Sequence, residues 1–172
     1  MNTYAKIILY TYPLLTTVEK DYEDHIKNRA LLSYKNGRLA EEAVEEIAKE
    51  ILEKRNLAWL KCLAEEVFVR LDDVEKLLVK IRYFGQARKI KYFLTLDLVG
   101  QGKKESRERA YFRRQQKLAE KIAGIFTEKG LTKEVFERDF SKIPIFDKAR
   151  RILCKGCAKK LQKEREILLS AL

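Results

Sequence analysis

The segment that decides the fold is Leu71–Ile122, which reads LDDVEKLLVKIRYFGQARKIKYFLTLDLVGQGKKESRERAYFRRQQKLAEKI. It begins with a helical apolar period that ends at Gly85, and it closes with a long basic helix that opens at Ser106. A short apolar stretch, Tyr92–Val99, and a glycine-containing turn lie between them. This order of helix, short helix, turn and arginine-rich helix is typical of a helix-turn-helix unit.

Three short motifs follow one another in this segment. They are Leu78–Gly85 (LVKIRYFG), Thr95–Gly100 (TLDLVG) and Ser106–Arg109 (SRER). In order and spacing they resemble region four, the promoter-reading region, of bacterial sigma-70-type factors, where the corresponding patterns are LRxRFG, TLEEVG and TRER. Leu118 stands where that family has a buried leucine. The resemblance covers residues 71–122 only and implies a DNA-binding helix-turn-helix that also docks on RNA polymerase.

The resemblance implies that the first residues of the basic helix meet DNA bases. Those residues are Arg107, Glu108 and Arg109, with Phe112 and Arg113 one turn further on. An arginine fork can pair with a guanine edge or a phosphate, and a glutamate can accept a hydrogen bond from the amino group of cytosine.

Other residues of the same region are expected to hold the DNA backbone. Ser106 is predicted to cap the helix, whose exposed N–H groups suit a phosphate. Lys103, Lys104 and Arg114 would fix the register without reading sequence. The buried seam of the helix is predicted to run through Ala110 or Tyr111 and then through Leu118, Ile122, Ile125 and Phe126, which turns Arg107, Arg109, Arg113, Arg114 and Lys117 outward.

The distribution of charge also favours a polyanionic partner. The 172-residue chain has a formal net charge of +11. Residues 1–85 contain 14 Lys and Arg against 15 Asp and Glu, whereas residues 86–163 contain 22 against 9. The excess therefore lies in and after the DNA-binding segment, which favours nucleic acid over a merely solvated basic surface.

The first 70 residues are predicted to form a helical hairpin. Tyr4–Tyr12 is expected to begin as a helix that Pro13 kinks, and Thr16–Glu19 to cap a second helix, Val18–Tyr34, with Tyr22, Ile26, Ala30 and Leu31 on one face. Leu39–Leu71 has a long apolar stripe, interrupted only by a potential break at Asn56. That stripe needs a partner, which is either the preceding helix or a second copy of the chain.

Three segments follow from these patterns: a hairpin (1–70), the helix-turn-helix (71–130) and a helical tail (131–172). Asp72 is predicted to cap the first helix of the middle segment, and Gly130 to end the basic one. In the tail, a short helix over Leu131–Phe140 and an extended link at Ile143-Pro144 precede a basic amphipathic helix, Asp147–Leu169.

Metal and thiol chemistry have weak candidates. Cys154 and Cys157 have the spacing of half a zinc site, but the other available ligands, Cys62 and His25, are distant in sequence. Two free thiols and an exposed helical histidine are the simpler interpretation. No glycine-rich phosphate loop, nucleophile elbow or paired carboxylate motif is present, so we expect no catalysis and no cofactor.

The sequence therefore predicts an all-α, cytoplasmic, non-membrane protein that binds DNA in transcription. Three alternatives stay open. Lys103 and Glu105 stand where the sigma family has apolar residues, which would suit a protein–protein adaptor with a decayed helix-turn-helix. The basic half would also suit an electrostatic RNA binder. A thiol- or metal-dependent enzyme around Cys154 and Cys157 is the third.

Overall fold

The computed structural model of the chain describes residues 3–36, 40–84 and 104–153. The helices are α1 (Thr3–Thr11), α2 (Leu15–Asn36), α3 (Ala40–Arg70), α4 (Asp73–Tyr83), α5 (Lys104–Glu128), α6 (Lys133–Asp139) and α7 (residues 144–153), with a 3-10 turn over Tyr12–Leu14. The described ranges contain no strand, so the all-α prediction is confirmed.

Helix α1 lies at the centre of the core. Ala5, Ile8 and Leu9 are completely buried, and the helix packs against both α4 and α5. The buried side chains of α1 cover more than half of its circumference, and the remaining side, with Lys6 and Tyr10, is partly exposed. The buried hydroxyl of Thr11 donates to the carbonyl oxygen of Ile7 at 2.9 Å, which satisfies its hydrogen-bonding requirement. The predicted helix and the interruption at Pro13 are both confirmed.

Helices α2 and α3 form the predicted hairpin. α3 continues through Asn56 without a break, and α2 packs along its N-terminal half. The hydroxyl of Tyr22 donates to Glu53 at 2.9 Å, and Lys54 pairs with Glu23 at 3.3 Å. Of the two partners that the sequence allowed for this helix, the intrachain one is thus present: α2 packs against α3. In residues 16–33 and 41–56, however, Ala43 alone is buried, so this part of the hairpin contributes little to the core.

The boundaries of α4 and α5 follow local hydrogen bonds. Asp72 accepts from the Glu75 N–H at 2.7 Å, and the Glu75 side chain accepts from the Asp72 N–H at 3.0 Å, which is the reciprocal cap. At the end of α5, Gly130 has φ +82°, and the Leu131 N–H donates to the Phe126 carbonyl at 2.9 Å. This is a Schellman ending, and both predicted boundaries are confirmed.

Aromatic rings join α6 and α7 to the rest of the core. Phe136, Phe140 and Phe146 lie with ring centroids 5.5–5.9 Å apart, and Phe136 lies 6.0 Å from Tyr4 of α1. Arg150 of α7 donates to both carboxylate oxygens of Glu137 at 2.7 and 2.8 Å. The buried cluster therefore contains side chains from all three predicted segments, and the proposed division into domains stays a prediction.

Three predicted helix starts are wrong. Thr16 does not cap α2, because the chain is already helical at Leu15 after the 3-10 turn. Ser106 lies inside α5, which begins at Lys104, because Lys104 and Glu105 are good helix formers. Pro144 opens α7 instead of an extended link, because its fixed φ and missing N–H suit the first position of a helix.

Several apolar side chains of the predicted hairpin faces are exposed. Ala30 and Leu31 of α2 are exposed, as is Ile51 of α3. These side chains belong to apolar patterns with helical spacing, but no described element covers them.

Candidate nucleic-acid interface

The buried face of α5 sets the direction of its cations. Tyr111, Leu118, Ile122 and Phe126 are buried, so the seam passes through Tyr111 and leaves Ala110 half-exposed. Ile125 completes the predicted set. Since a helix turns 100° per residue, the opposite side of α5 must face water along its length.

One buried polar residue on α5 was missed from the sequence. The Gln115 side chain donates weakly to the Leu78 carbonyl at 3.4 Å and to the Tyr111 hydroxyl at 3.3 Å, which ties α5 to α4. Its position could have been found from spacing alone, because 111, 115, 118, 122 and 125 alternate by four and three residues.

The outward side of α5 presents a row of cations. Arg109, Arg113 and Lys117 are exposed and follow one another at four-residue steps, and Arg114 is half-buried beside them. Together these four residues are called the α5 cation row. None of them forms an ion pair with a described carboxylate, so within the described ranges their charge is not neutralised.

The cations at the C-terminal end of α5 and directly after it are arranged differently. Lys121 contacts Glu75 of α4 at 2.6 Å, and Lys129 contacts Glu66 of α3 at 2.5 Å. These pairs join α5 to its neighbours, whereas the α5 cation row faces solvent. Lys121 of α5 and Lys129, which directly follows that helix, are therefore paired within the protein, whereas the α5 cation row has no described carboxylate partner.

A groove of about 470 Å³ separates α4 from α5 next to the cation row. Its walls are Asp72, Val74, Glu75, Leu78, Arg114, Lys117, Leu118 and Lys121. Two unpaired cations, Arg114 and Lys117, thus border a concave surface whose floor is apolar. The two carboxylates on its α4 side limit the positive potential to the α5 side.

No protein-family model, curated protein or solved structure matches this chain.

Several predicted DNA-binding residues lie outside the described structure. Lys103 and the predicted second helix, Thr95–Gly102, fall in the gap between α4 and α5. Lys104, Ser106, Arg107 and Glu108 belong to α5 by their backbone, and their side chains are not described.

Phe112 differs from the cations near it. Its ring is half-buried against the core and lies edge-to-face with Tyr111, at a centroid distance of 5.3 Å. Such ring pairs stabilise packing, so a large part of the Phe112 side chain is committed to holding α5 in place.

The metal and thiol candidates are not brought together in the described structure. His25 is an exposed residue of α2, and Cys62 is an exposed free thiol on α3. The described residues include no group of three or more His, Cys, Asp or Glu side chains arranged for a metal ion. Cys154 and Cys157 lie outside the described ranges.

Among the described helices, none combines the length and apolar character needed to cross a bilayer.

Proposed function

We propose that this chain is a non-catalytic, cytoplasmic DNA-binding protein of the transcription machinery that uses the N-terminal half of α5 to contact duplex DNA. The observation that supports it is the α5 cation row, Arg109, Arg113, Arg114 and Lys117, which has no described carboxylate partner. Guanidinium groups at helical spacing suit phosphates and guanine edges in a major groove. RNA polymerase is the protein partner that the sigma-region-four resemblance implies.

The contrast along α5 adds support. Cations that serve the fold, Lys121 and Lys129, are held by Glu75 and Glu66. Arg109, Arg113 and Lys117 are exposed on the side opposite the buried seam, and Arg114 is half-buried at the edge of the groove. A row of uncompensated charges repels itself unless an anion is bound, which favours a binding role over a stabilising one.

Anisotropy titrations with mixed-sequence duplex DNA and with RNA, across a salt series, test the proposal. We expect duplex DNA to bind and log K to fall linearly with log salt concentration. Replacing Arg109 and Arg113 with alanine should reduce that slope by about 0.9 for each lost phosphate contact. The matched control is Lys20→Ala with Lys49→Ala, which removes two exposed cations from the hairpin. Equal losses in both double variants would contradict a localised interface.

Base reading has its own test within the same titrations. A selection from random duplexes first identifies preferred sequences. Arg107→Ala with Arg109→Ala should relax the preference, whereas Lys103→Ala with Lys104→Ala should weaken all sequences alike. Stronger binding to RNA than to duplex DNA would favour the electrostatic RNA binder.

A protein–protein adaptor is the second candidate. It is favoured by apolar side chains that stay exposed on the hairpin, among them Leu31, Leu32, Val44, Ile51 and Leu52. The adaptor predicts no appreciable binding to DNA or RNA in the titrations above.

A further inference from the structure

The outward face of α3 is apolar over four turns and is largely uncovered in the described structure, where Trp59 at its C-terminal end stacks on Phe140 at a centroid distance of 6.2 Å and stays 42% exposed. Its members are Val44, Ala48, Ile51, Leu52, Arg55 and Trp59, which we call the α3 stripe. Val44 is 63% exposed, Ile51 50% and Leu52 52%. Scattered exposed apolar residues are ordinary, but a continuous line of them on one helix marks an interaction surface.

The other side of α3 is already occupied by α2. Glu46 and Glu50 pair with Arg29, and Glu53 accepts from Tyr22. These positions lie across the helix from the α3 stripe, because they differ from its members by rotations of about 100–180° at 3.6 residues per turn. The stripe is therefore a second face, and the hairpin partner does not cover it.

We propose that the α3 stripe is a self-association surface, on which a second copy of this chain packs its own α3 antiparallel. The proposal does not depend on DNA binding.

The charges on α3 favour this occupant and this orientation. Arg55 is the one cation within the stripe, and Glu41 and Glu45 are exposed near its N-terminal end. Neither Arg55 nor Glu45 forms an ion pair with a described residue. A parallel pair would place Arg55 against Arg55 and Glu45 against Glu45. An antiparallel pair brings Arg55 of each copy beside Glu45 of the other, so unlike charges meet twice.

The sizes of the side chains fit the same register. With the two-fold axis between residues 51 and 52, Ile51 faces Leu52 of the second copy and Val44 faces Trp59. Arg55 then faces Ala48, whose small side chain leaves room for the arginine stem to lie along the interface. The contact is isologous, because each copy presents the same surface to the other.

The contact length predicts a weak dimer. From Val44 to Trp59 the stripe is about 24 Å long at 1.5 Å per residue. A single helix pair of this length lies at the small end of specific interfaces, so we expect self-association that depends on protein concentration.

Sedimentation velocity over a wide concentration range tests the proposal on the full chain. We expect the average mass to rise from monomer toward dimer. Ile51→Glu with Leu52→Glu should weaken the association at least about tenfold, because it removes apolar contact and adds like charges. Both positions are exposed, and circular dichroism will show whether the helices are kept. The control is Leu31→Glu, an exposed leucine on α2, which should not change the dimer.

A charge exchange separates direct pairing from general damage. Arg55→Glu alone should weaken the dimer, and so should Glu45→Arg alone. The double variant restores unlike charges across the axis and should regain most of the association. A double variant as weak as the two single ones would contradict the antiparallel pairing.

Disulfide trapping tests the register in a chain that also has Cys62→Ser, Cys154→Ser and Cys157→Ser. Leu52→Cys lies next to the axis and should form a linked dimer. Val44→Cys should not, since its two copies are about 22 Å apart in the antiparallel pair, far beyond disulfide reach. Linkage through Val44→Cys overturns the proposed orientation. A wild-type chain that stays monomeric at all concentrations overturns the whole proposal and leaves the stripe to a different partner.

Discussion

Different interactions stabilise the outer hairpin and the remaining described helices, α1 and α4–α7 with the C-terminal part of α3, which we call the bundle. In the bundle, Tyr111, Phe126 and Phe136 are completely buried. In residues 16–33 and 41–56 of the hairpin, Ala43 alone is buried, and the two helices meet mainly through ion pairs such as Lys54–Glu23. Buried apolar area supplies most of the free energy of folding, whereas exposed ion pairs supply little. The bundle therefore supplies most of the stability of the fold, and the hairpin keeps apolar surface that is not buried when the chain folds.

The largest expected difference between the two regions is in core truncation. Phe136→Ala should lower the free energy of unfolding by about 3–5 kcal/mol, because it leaves a cavity among Tyr4, Phe140 and Phe146. Leu31→Ala on the hairpin should change it by less than about 0.5 kcal/mol. Urea unfolding measures both. Similar losses in the two variants would show that the hairpin is as well packed as the bundle.

A smaller effect is expected at the start of α4, where the bundle depends on a local cap. Asp72→Ala removes the acceptor for the Glu75 N–H and should cost about 1 kcal/mol in unfolding free energy. The same substitution at Asp24, an exposed aspartate of α2, serves as the control. A cost at Asp24 as large as that at Asp72 would contradict the assigned cap.

The hairpin should respond to alkaline pH through Tyr22. Burial, followed by the hydrogen bond to Glu53 and the charges of Glu53 and Glu50, raises the pKa of Tyr22 above its ordinary 10.0. The folded hairpin favours the protonated phenol, so this contact is fully present below pH 10 and is lost as pH rises through the raised pKa. Tyr22→Phe should lower stability by about 1 kcal/mol at neutral pH.

The tyrosinate absorbance checks that assignment. In a spectrophotometric pH titration, the tyrosinate absorbance that wild type has and Tyr22→Phe lacks should appear at a higher pH than that of a free tyrosine. Ionisation of Tyr22 near pH 10 would show that the contact with Glu53 is absent in solution.

The smallest effect is expected at an exposed pair that joins α3 to α5. The hydrogen bond from Lys129, together with the charges of Lys129 and Arg70, holds the pKa of Glu66 below its ordinary 4.5. Its contribution to stability is therefore present above pH 4.5 and is lost as pH falls through the lowered pKa. Glu66→Gln should slightly flatten the acid side of the stability–pH curve. A curve that is unchanged between pH 2 and 6 would show that this pair adds nothing.

Signals from residues close in sequence made much of this fold predictable. The cap at Asp72, the glycine ending at Gly130 and the long period of α3 each depend on residues close in sequence. The predicted start of α7 was wrong because a proline can either end an element or open a helix. The packing of Phe146 and Ala149 in the core favours the second outcome.

Burial was less predictable than helix boundaries. Ile51 and Leu57 belong to one predicted stripe on α3, yet Ile51 is exposed and Leu57 is buried. Six residues turn a helix by about 600°, which places Leu57 about 120° from Ile51, so the predicted stripe crossed from the outward face of α3 to its core face. On α5, the sequence placed Arg109, Arg113 and Lys117 outward but missed Gln115, a polar residue that the seam includes.

The central position of α1 has a consequence for synthesis on the ribosome. The Tyr4 hydroxyl lies 3.5 Å from the Thr127 hydroxyl, 123 residues further along the chain. At about 5–20 residues per second, translation adds Thr127 roughly 6–25 s after Tyr4. During that interval α1 can meet α4 but still exposes the apolar surface that α5 and α6 later cover, so nascent chains stalled before α5 should recruit a holdase chaperone and release it once α5 and α6 have emerged.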